Sequence, residues 1–155
     1  MRVLAFDQSY ARTGVALSEN GRLTWVAQVS MKGSNTEKRK TVRRVVKRLI
    51  KIYAPDFVTV ERIRLFSGGN VSAKVVMSLG ALNLSIVDAA DPVCVYSIDT
   101  RSWKSKVIGS AKATKDDAVS FIRGLGVKVK NHDQADAACM ALYACRMDAL
   151  LKQEK

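Results

Sequence analysis

The sequence predicts an α/β domain built on one mixed sheet, with three antiparallel strands first, parallel strands after them and helices flanking the sheet. Three apolar runs, at 2–6, 13–17 and 23–29, stand close together at the start of the chain. The second and third flank Asn20-Gly21, a dipeptide typical of a tight β-hairpin because both turn residues need positive φ. Beyond residue 35, helix-like stretches alternate with short β-branched runs, which favours parallel strands joined by helices.

The first two helices follow from apolar residues spaced three and four apart. Thr36 is predicted to cap a helix that runs to Tyr53, and Pro55 ends it. A second helix is predicted over residues 71–90. Its inner side is expected to carry Val75, Val76, Leu79, Leu82 and Ile86.

Shorter elements follow in the second half of the chain. Strands are predicted at 57–60 and 93–98, and a short helix over residues 100–108. Thr114 is predicted to cap a further helix with two aspartates in its first turn, which the helix dipole favours. The core side of that helix is expected to carry Phe121, Ile122 and Leu125.

The length of 155 residues fits one domain over 1–155 and leaves no room for a second of ordinary size. The richest apolar stretch, 80–98, is broken by Asp88 and Asp91, and the opening residues lack the apolar run of a signal peptide. We therefore expect a soluble, cytoplasmic protein with no membrane partner. The three cysteines show no CxxC spacing, which argues against a zinc knuckle.

The charge balance favours a polyanionic partner. Lysine and arginine outnumber aspartate and glutamate by 26 to 14, which gives a net charge of +12. Much of it lies on one face of the first predicted helix, at Lys38, Arg39, Lys40, Arg43, Arg44, Lys47, Arg48 and Lys51. This stripe is suited to a phosphate backbone, although each charge alone is more typical of a solvated helix face. Net charge by itself does not show whether the partner is DNA, RNA, anionic lipid or nucleotide.

Four carboxylates stand where the predicted fold brings them together. Asp7 and Glu61 each follow an apolar strand, and neighbouring strands place such residues at one edge of the sheet. The last helix, predicted to begin near His132, carries Asp133 and Asp136 three residues apart and therefore on one face. Clustered carboxylates repel one another, and a hard divalent cation relieves the repulsion. Oxygen donors of this kind favour Mg²⁺ or Mn²⁺ over zinc. Each carboxylate alone is also typical of a turn or helix cap, so it is their joint placement that favours a metal site.

Four short motifs resemble the RuvC Holliday junction resolvases. They are VLAFDQS at 3–9, TGVA at 13–16, VTVE at 58–61 and HDQADA at 132–137. Each motif alone is weak, but together they occur in the family order, at compatible spacing, over essentially the whole chain. The compact length and the departures from the bacterial pattern are compatible with a phage-encoded member.

The resemblance implies a ribonuclease H-like fold that acts as a homodimer on branched DNA, with four-way junctions as substrates and forks and three-way junctions as further candidates. The setting it implies is the cytoplasm of a bacterium or a phage-infected cell. It also implies hydrolysis with two Mg²⁺ ions about 4 Å apart, for which Mn²⁺ can substitute. The ligands carried over by position are Asp7, Glu61, Asp133 and Asp136.

Basic residues near those ligands are matched in the same way. Lys104 and Lys115 stand where family lysines support cleavage by neutralising phosphate charge, and the alternative for each is an exposed helix lysine. The DNA-binding set that the resemblance implies is Arg62, Arg64, Phe66, Lys104, Lys106 and Lys115.

Two departures from the family pattern bear on selectivity. The family usually has Pro-Gly after its first aspartate, where this chain has Gln8-Ser9. In the loop after Glu61, Arg64 stands where relatives often carry an aromatic wedge, and Phe66 follows two residues later. A guanidinium grips phosphates better than it unstacks bases, so we expect recognition of branch shape with weak sequence preference.

The role of His132 is open to more than one interpretation. His132 lies four residues from Asp136 on the same helix face, so it is an alternative ligand to Asp133, a DNA contact or simply a helix-start residue.

A non-cleaving ribonuclease H-like nucleic-acid-binding module is the main rival function, and the presence of all four carboxylates argues against it. The opening hairpin also resembles that of actin-like sugar kinases, which need two such domains where this chain has room for one.

Overall fold

The computed structural model describes residues 1–63 and 73–153, with side chains as far as Met147. Its strands are β1 (Arg2–Gln8), β2 (Arg12–Glu19), β3 (Arg22–Ser30), β4 (Phe57–Glu61) and β5 (Val95–Ile98). Its helices are α1 (Asn35–Tyr53), α2 (Ala73–Ala90), α3 (Thr100–Trp103), α4 (Lys115–Gly124) and α5 (His132–Gln153). A π-helical turn, Lys104–Ile108, follows α3 directly.

The five strands form one sheet in the order β3-β2-β1-β4-β5. β1 pairs antiparallel with β2, and β2 with β3, while β1 with β4 and β4 with β5 are parallel. The predicted mixed sheet, antiparallel first and parallel afterwards, is therefore confirmed. Its central strand β1 is buried from Val3 to Gln8, because helices cover both faces.

The alternation of side chains along β1 separates two hydrophobic cores. Leu4 and Phe6 face the layer formed by α1 and α2. Val3 and Ala5 face α5, whose small residues allow it to lie close to the sheet. The small buried residues of α5 are Ala135, Ala137, Ala138, Cys139, Ala141, Ala144 and Cys145. An alanine-rich face of the last helix therefore packs closely on the sheet.

Three local predictions were wrong. The cap of α1 is Ser34 rather than Thr36, because Ser34 and Glu37 form a reciprocal capping box two residues earlier. In α2, Val75 is exposed rather than inward, and the inner face is formed around Leu82 and Ile86. Leu125 of the helix capped by Thr114 is also exposed, at 53%. Apolar periodicity alone does not distinguish a core side chain from one at the surface.

The basic stripe on α1 is partly used inside the fold. Arg39 donates a hydrogen bond to Ser85, and Arg43 pairs with Asp88 at 3.1 Å, so both reach across to α2. The stem of Lys38 is buried, and its ammonium group lies 3.4 Å from the centroid of the Tyr10 ring.

By length and composition alone, α2 is apolar enough to cross a membrane. Its 18 residues have a mean hydropathy of 1.4, and 33% of them are buried within the fold. Core helices of soluble proteins meet the same criterion, and one side of α2 packs on α1 and the sheet. The opposite side carries Met77, Leu84 and Val87 at the surface.

A close contact at Gly14 fixes the start of α5 against β2. A Cβ at this position would lie 1.8 Å from the backbone oxygen of Asp133, far inside van der Waals contact. We therefore expect Gly14→Ala to lower the free energy of unfolding by about 1–3 kcal/mol, because backbone has to shift to admit the methyl group. Chemical denaturation measures this loss. A matched control is Gly124→Ala, where an added Cβ meets nothing within 4 Å. Equal stability of the two variants would contradict the predicted contact.

Candidate active site

Two carboxylates meet at one edge of the sheet because their strands are adjacent and parallel. The pairing of β1 with β4 aligns Phe6 with Val60, so that Asp7 and Glu61 are the next residues on neighbouring strands. Asp7 is 7% exposed, and Glu61 is half-buried. The predicted approach of these two side chains is confirmed, although both lie within their strands rather than after them.

The start of α5 brings the second pair of carboxylates to the same place. Asp133 and Asp136 share a helix face, and that face points into a cavity of about 650 Å³. The polar side chains that line it belong to Asp7, Gln8, Ser9, Glu61, Arg62, Thr100, Lys104, Lys115, Asp133 and Asp136. Three separate chain segments therefore deliver all four predicted carboxylates to one cavity.

Burial and the charges of their acidic neighbours raise the pKa values of Asp7 and Asp136. The pKa of Asp7 lies well above its usual range, first because of burial and then because of the negative charges of Glu61, Asp136 and Asp133. Burial, followed by the charge of Glu61, also raises the pKa of Asp136 to about 6. The ammonium group of Lys115 acts in the opposite direction on both.

The donor set fits a hard divalent cation. Oδ2 of Asp133 and Oδ1 of Asp136 are buried without a hydrogen-bond partner among the described residues. Arg12 lies near the first of them, with its Nε 3.5 Å from Oδ2 of Asp133, but it makes no hydrogen bond. Buried carboxylate oxygens that accept no hydrogen bond are suited to bind Mg²⁺ or Mn²⁺, whereas zinc sites are built mainly from nitrogen and sulfur ligands.

The carboxylates line the cavity without forming a closed coordination shell. Within residues 1–63 and 73–153, no three His, Cys, Asp or Glu side chains are grouped as a ready metal site.

The two predicted lysines also lie at the cavity. Nζ of Lys104, which follows α3, donates a hydrogen bond to the carbonyl of Ala113 at 2.7 Å. Lys115 is the first residue of α4. Arg62 lines the cavity as well, whereas Lys106 is exposed outside its lining.

Arg64 and Phe66 lie outside the described residues, so their roles stay predictions. His132 is described, and it does not line the cavity. Its Nε2 lies 3.0 Å from Oδ1 of Asp116, at the start of α4. This contact joins the first turns of α4 and α5 and favours Asp133 over His132 as the cavity residue.

Sequence reasoning missed two side chains that touch Glu61. The side-chain amide of Gln8 donates to the Glu61 carbonyl at 2.9 Å, and the Thr100 hydroxyl donates to Oε1 of Glu61 at 2.5 Å. Gln8 was noticed only as a departure from the family pattern. Thr100 follows β5 by two residues, and its position at the same sheet edge as Glu61 is the signal that points to it.

Comparison with known proteins identifies the family. The family model described as crossover junction endodeoxyribonuclease RuvC matches residues 3–144. The protein of that name from Hydrogenovibrio crunogenus is 24% identical over 143 residues, which are 88% of this chain and 81% of that protein. The protein of the same name from Acidiphilium cryptum is 28% identical over 149 residues, 91% of this chain and 88% of that protein.

A solved structure shares the fold. Thermus thermophilus RuvC in complex with a Holliday junction substrate superposes with a TM-score of 0.80 at 20% identity, over 96% of both chains. The expected ribonuclease H-like architecture is thereby confirmed. Because the family model matches nearly the whole length, from residue 3 to residue 144, this chain belongs to the RuvC family of crossover junction endodeoxyribonucleases.

Proposed function

We propose that this protein cleaves Holliday junctions and other branched DNA in the cytoplasm, with its whole chain acting as one nuclease domain. Its family makes it a hydrolase that acts on DNA and a metal-dependent nuclease. The observation that carries the proposal is the one cavity that holds four carboxylates from three chain segments beside two lysines. A phage origin stays a prediction.

The carboxylates are proposed as the metal ligands of the site. Asp7, Glu61, Asp133 and Asp136 would hold two Mg²⁺ ions, with Mn²⁺ as a substitute. When bound, these ions supply Lewis-acid stabilisation of phosphoryl oxygens and a more acidic water. The buried oxygens of Asp133 and Asp136 that accept no hydrogen bond support this assignment, since a cation satisfies them.

The lysines are proposed to act on the substrate phosphate. Lys104 is held by the carbonyl of Ala113, and this contact keeps its ammonium group at the cavity wall. Lys115 stands on the first turn of α4 and is exposed. Both cations offset negative charge that develops on the phosphate during hydrolysis.

Binding of branched DNA is proposed to depend on the basic surface around the cavity. Arg62 lines the cavity, and Lys106 lies exposed on the same connecting segment as Lys104. Phosphate contacts position a protein without reading bases, and the net charge of +12 is large for 155 residues. We therefore propose strong salt dependence and weak sequence preference, with Arg64 and Phe66 as further candidates near the branch point.

Removing one carboxylate charge tests the proposal. We expect Asp7→Asn and Glu61→Gln to reduce cleavage of a labelled four-way junction by at least about 1000-fold, because each variant weakens metal binding at the reacting phosphate. Binding of the same junction, measured by gel shift, should be retained because the basic surface is unchanged. Asp133→Asn and Asp136→Asn should behave in the same way.

The control for these variants is Glu19→Gln, which removes a partly exposed carboxylate that pairs with Arg2 at the end of β2. Full nicking is expected from it in Mg²⁺ and none in EDTA. Full activity in Asp7→Asn would remove that residue from the site. Wild-type protein that binds junctions but never cuts them in Mg²⁺ or Mn²⁺ would instead favour the non-cleaving module.

A homodimer is proposed through the exposed face of α2. Met77, Leu84 and Val87 are 74%, 63% and 41% exposed, which is unusual for three apolar side chains on one helix. Leu84 and Val87 border a surface depression of about 320 Å³ with room for an apolar side chain of a second copy. A two-fold axis through such a face would hold two cavities at a fixed separation, as paired cuts across a junction require.

Charge placed on this face should separate the dimer. We expect the wild type to sediment as a dimer at micromolar concentration, and the double variant Leu84→Glu, Val87→Glu to weaken association by more than about tenfold, because it buries unpaired charge. Analytical ultracentrifugation measures both. Leu125→Glu, directly after α4, is the control and should remain dimeric. A wild type that is monomeric with and without DNA would contradict the proposed dimer.

A further inference from the structure

The backbone pairing of β1 with β4 stops before it reaches the two carboxylates. The last aligned pair is Phe6 with Val60, one residue before Asp7 and Glu61. On its other side, the end of β4 is held by β5, where the amide of Arg62 donates to the carbonyl of Ile98 at 2.8 Å. Asp7 and Glu61 themselves are therefore not an aligned pair of this ladder.

A side chain of β1 contacts the Glu61 backbone beyond the last aligned pair. Nε2 of Gln8 donates to the backbone carbonyl of Glu61 at 2.9 Å, and Nδ2 of Asn83 reaches the same oxygen at 3.4 Å. Gln8 is 7% exposed, so its amide is fixed by packing as well as by this bond. The proline of the resolvase pattern at this place has no side-chain amide to donate, which makes the contact a feature of this chain.

A second contact fixes the carboxylate itself. Oγ1 of Thr100 lies 2.5 Å from Oε1 of Glu61, and the hydroxyl donates because a carboxylate only accepts. Thr100 begins α3, and both residues line the cavity. The hydroxyl has one hydrogen and engages one oxygen, so Oε2 of Glu61 is left for a cation.

We propose that Gln8 and Thr100 are positioning residues that hold Glu61 in place for the divalent cation. Gln8 fixes the backbone at Glu61, and Thr100 fixes the orientation of its carboxylate. A carboxylate ligand whose side chain is already fixed loses less conformational freedom when the ion binds. The affinity for the divalent cation therefore rises without a further direct contact to the metal. This inference rests on the proposed function, because it assigns Glu61 as a ligand.

The test is direct titration of Mn²⁺ without DNA, with free Mn²⁺ followed by electron paramagnetic resonance. Thr100→Val keeps the shape of the side chain and removes the hydroxyl, and Gln8→Met keeps the length and removes the amide. We expect each variant to bind Mn²⁺ about tenfold to a hundredfold more weakly. Thr100→Ser, which keeps the hydroxyl, should recover most of the affinity. The matched control is Thr24→Val on the exposed side of β3, with wild-type affinity expected.

Melting curves in EDTA accompany each titration and show whether each variant is folded. We expect the melting temperatures to stay within a few degrees of the wild type while the affinities for Mn²⁺ differ. Wild-type Mn²⁺ affinity in both Thr100→Val and Gln8→Met would overturn the inference. So would a loss in Thr100→Val that Thr100→Ser does not recover. A wild type that neither binds Mn²⁺ nor cuts junctions would overturn the proposed function instead.

Discussion

Repulsion among four carboxylates in one cavity is the constraint on which the rest of the site depends. Asp7 and Asp136 are each 7% exposed, and their raised pKa values follow first from burial and then from their acidic neighbours. Such an arrangement costs stability in the absence of a cation, since burial and like charge both disfavour the ionised carboxylates. The surrounding fold must therefore hold the carboxylates in place against their own repulsion.

Several features of the fold supply that support. The central position of β1 and β4 in the sheet buries the strands that carry two of the carboxylates. The missing side chain at Gly14 allows α5 to approach β2 closely enough to bring Asp133 to the cavity. The connection through α3 then brings Thr100 and Lys104 to the same cavity. The four carboxylates and both lysines proposed for hydrolysis therefore line one cavity at one edge of the sheet.

Much of this arrangement could be predicted because it depends on local signals. Strand order follows from the Asn20-Gly21 hairpin and from the alternation of strands with helices, and the carboxylates stand at strand ends and on one helix face. Other features could not be predicted because they depend on tertiary contacts. Ser34 and Thr36 are both good capping residues, and only the approach of Glu37 selects the first. The contact of Thr100 with Glu61 likewise depends on how two neighbouring strands end.

Surface apolar residues show a further limit of sequence reasoning. Val75 and Leu125 fit the helical spacing of a core face, and both are exposed. Hydrophobic periodicity reports that a helix has an apolar side, and it does not report whether that side meets the core or a second molecule. For α2, which has apolar residues on more than one side, the structure assigns Leu82 and Ile86 to the core and leaves Leu84 at the surface.

The most direct measurement of the central claim is the stability of the protein against pH with and without Mg²⁺. A carboxyl whose folded pKa is raised binds protons more tightly in the folded state, so without metal its stabilising contribution is lost as pH rises through that pKa, about 6 for Asp136. Each tenfold difference in proton affinity corresponds to about 1.4 kcal/mol. Asp117 and Glu37 have lowered pKa values, so they lose their contributions to stability only as pH falls to about 4 and below. That range lies below the pH at which Asp136 loses its proton.

In EDTA, we therefore expect the free energy of unfolding to fall between about pH 5 and pH 7, and Asp136→Asn to flatten that dependence. Saturating Mg²⁺ should reverse the slope, because the cation binds the deprotonated carboxylates of the folded state. Urea denaturation across this range provides the test. A profile that is the same with Mg²⁺ as with EDTA, or the same in Asp136→Asn as in the wild type, would contradict the account.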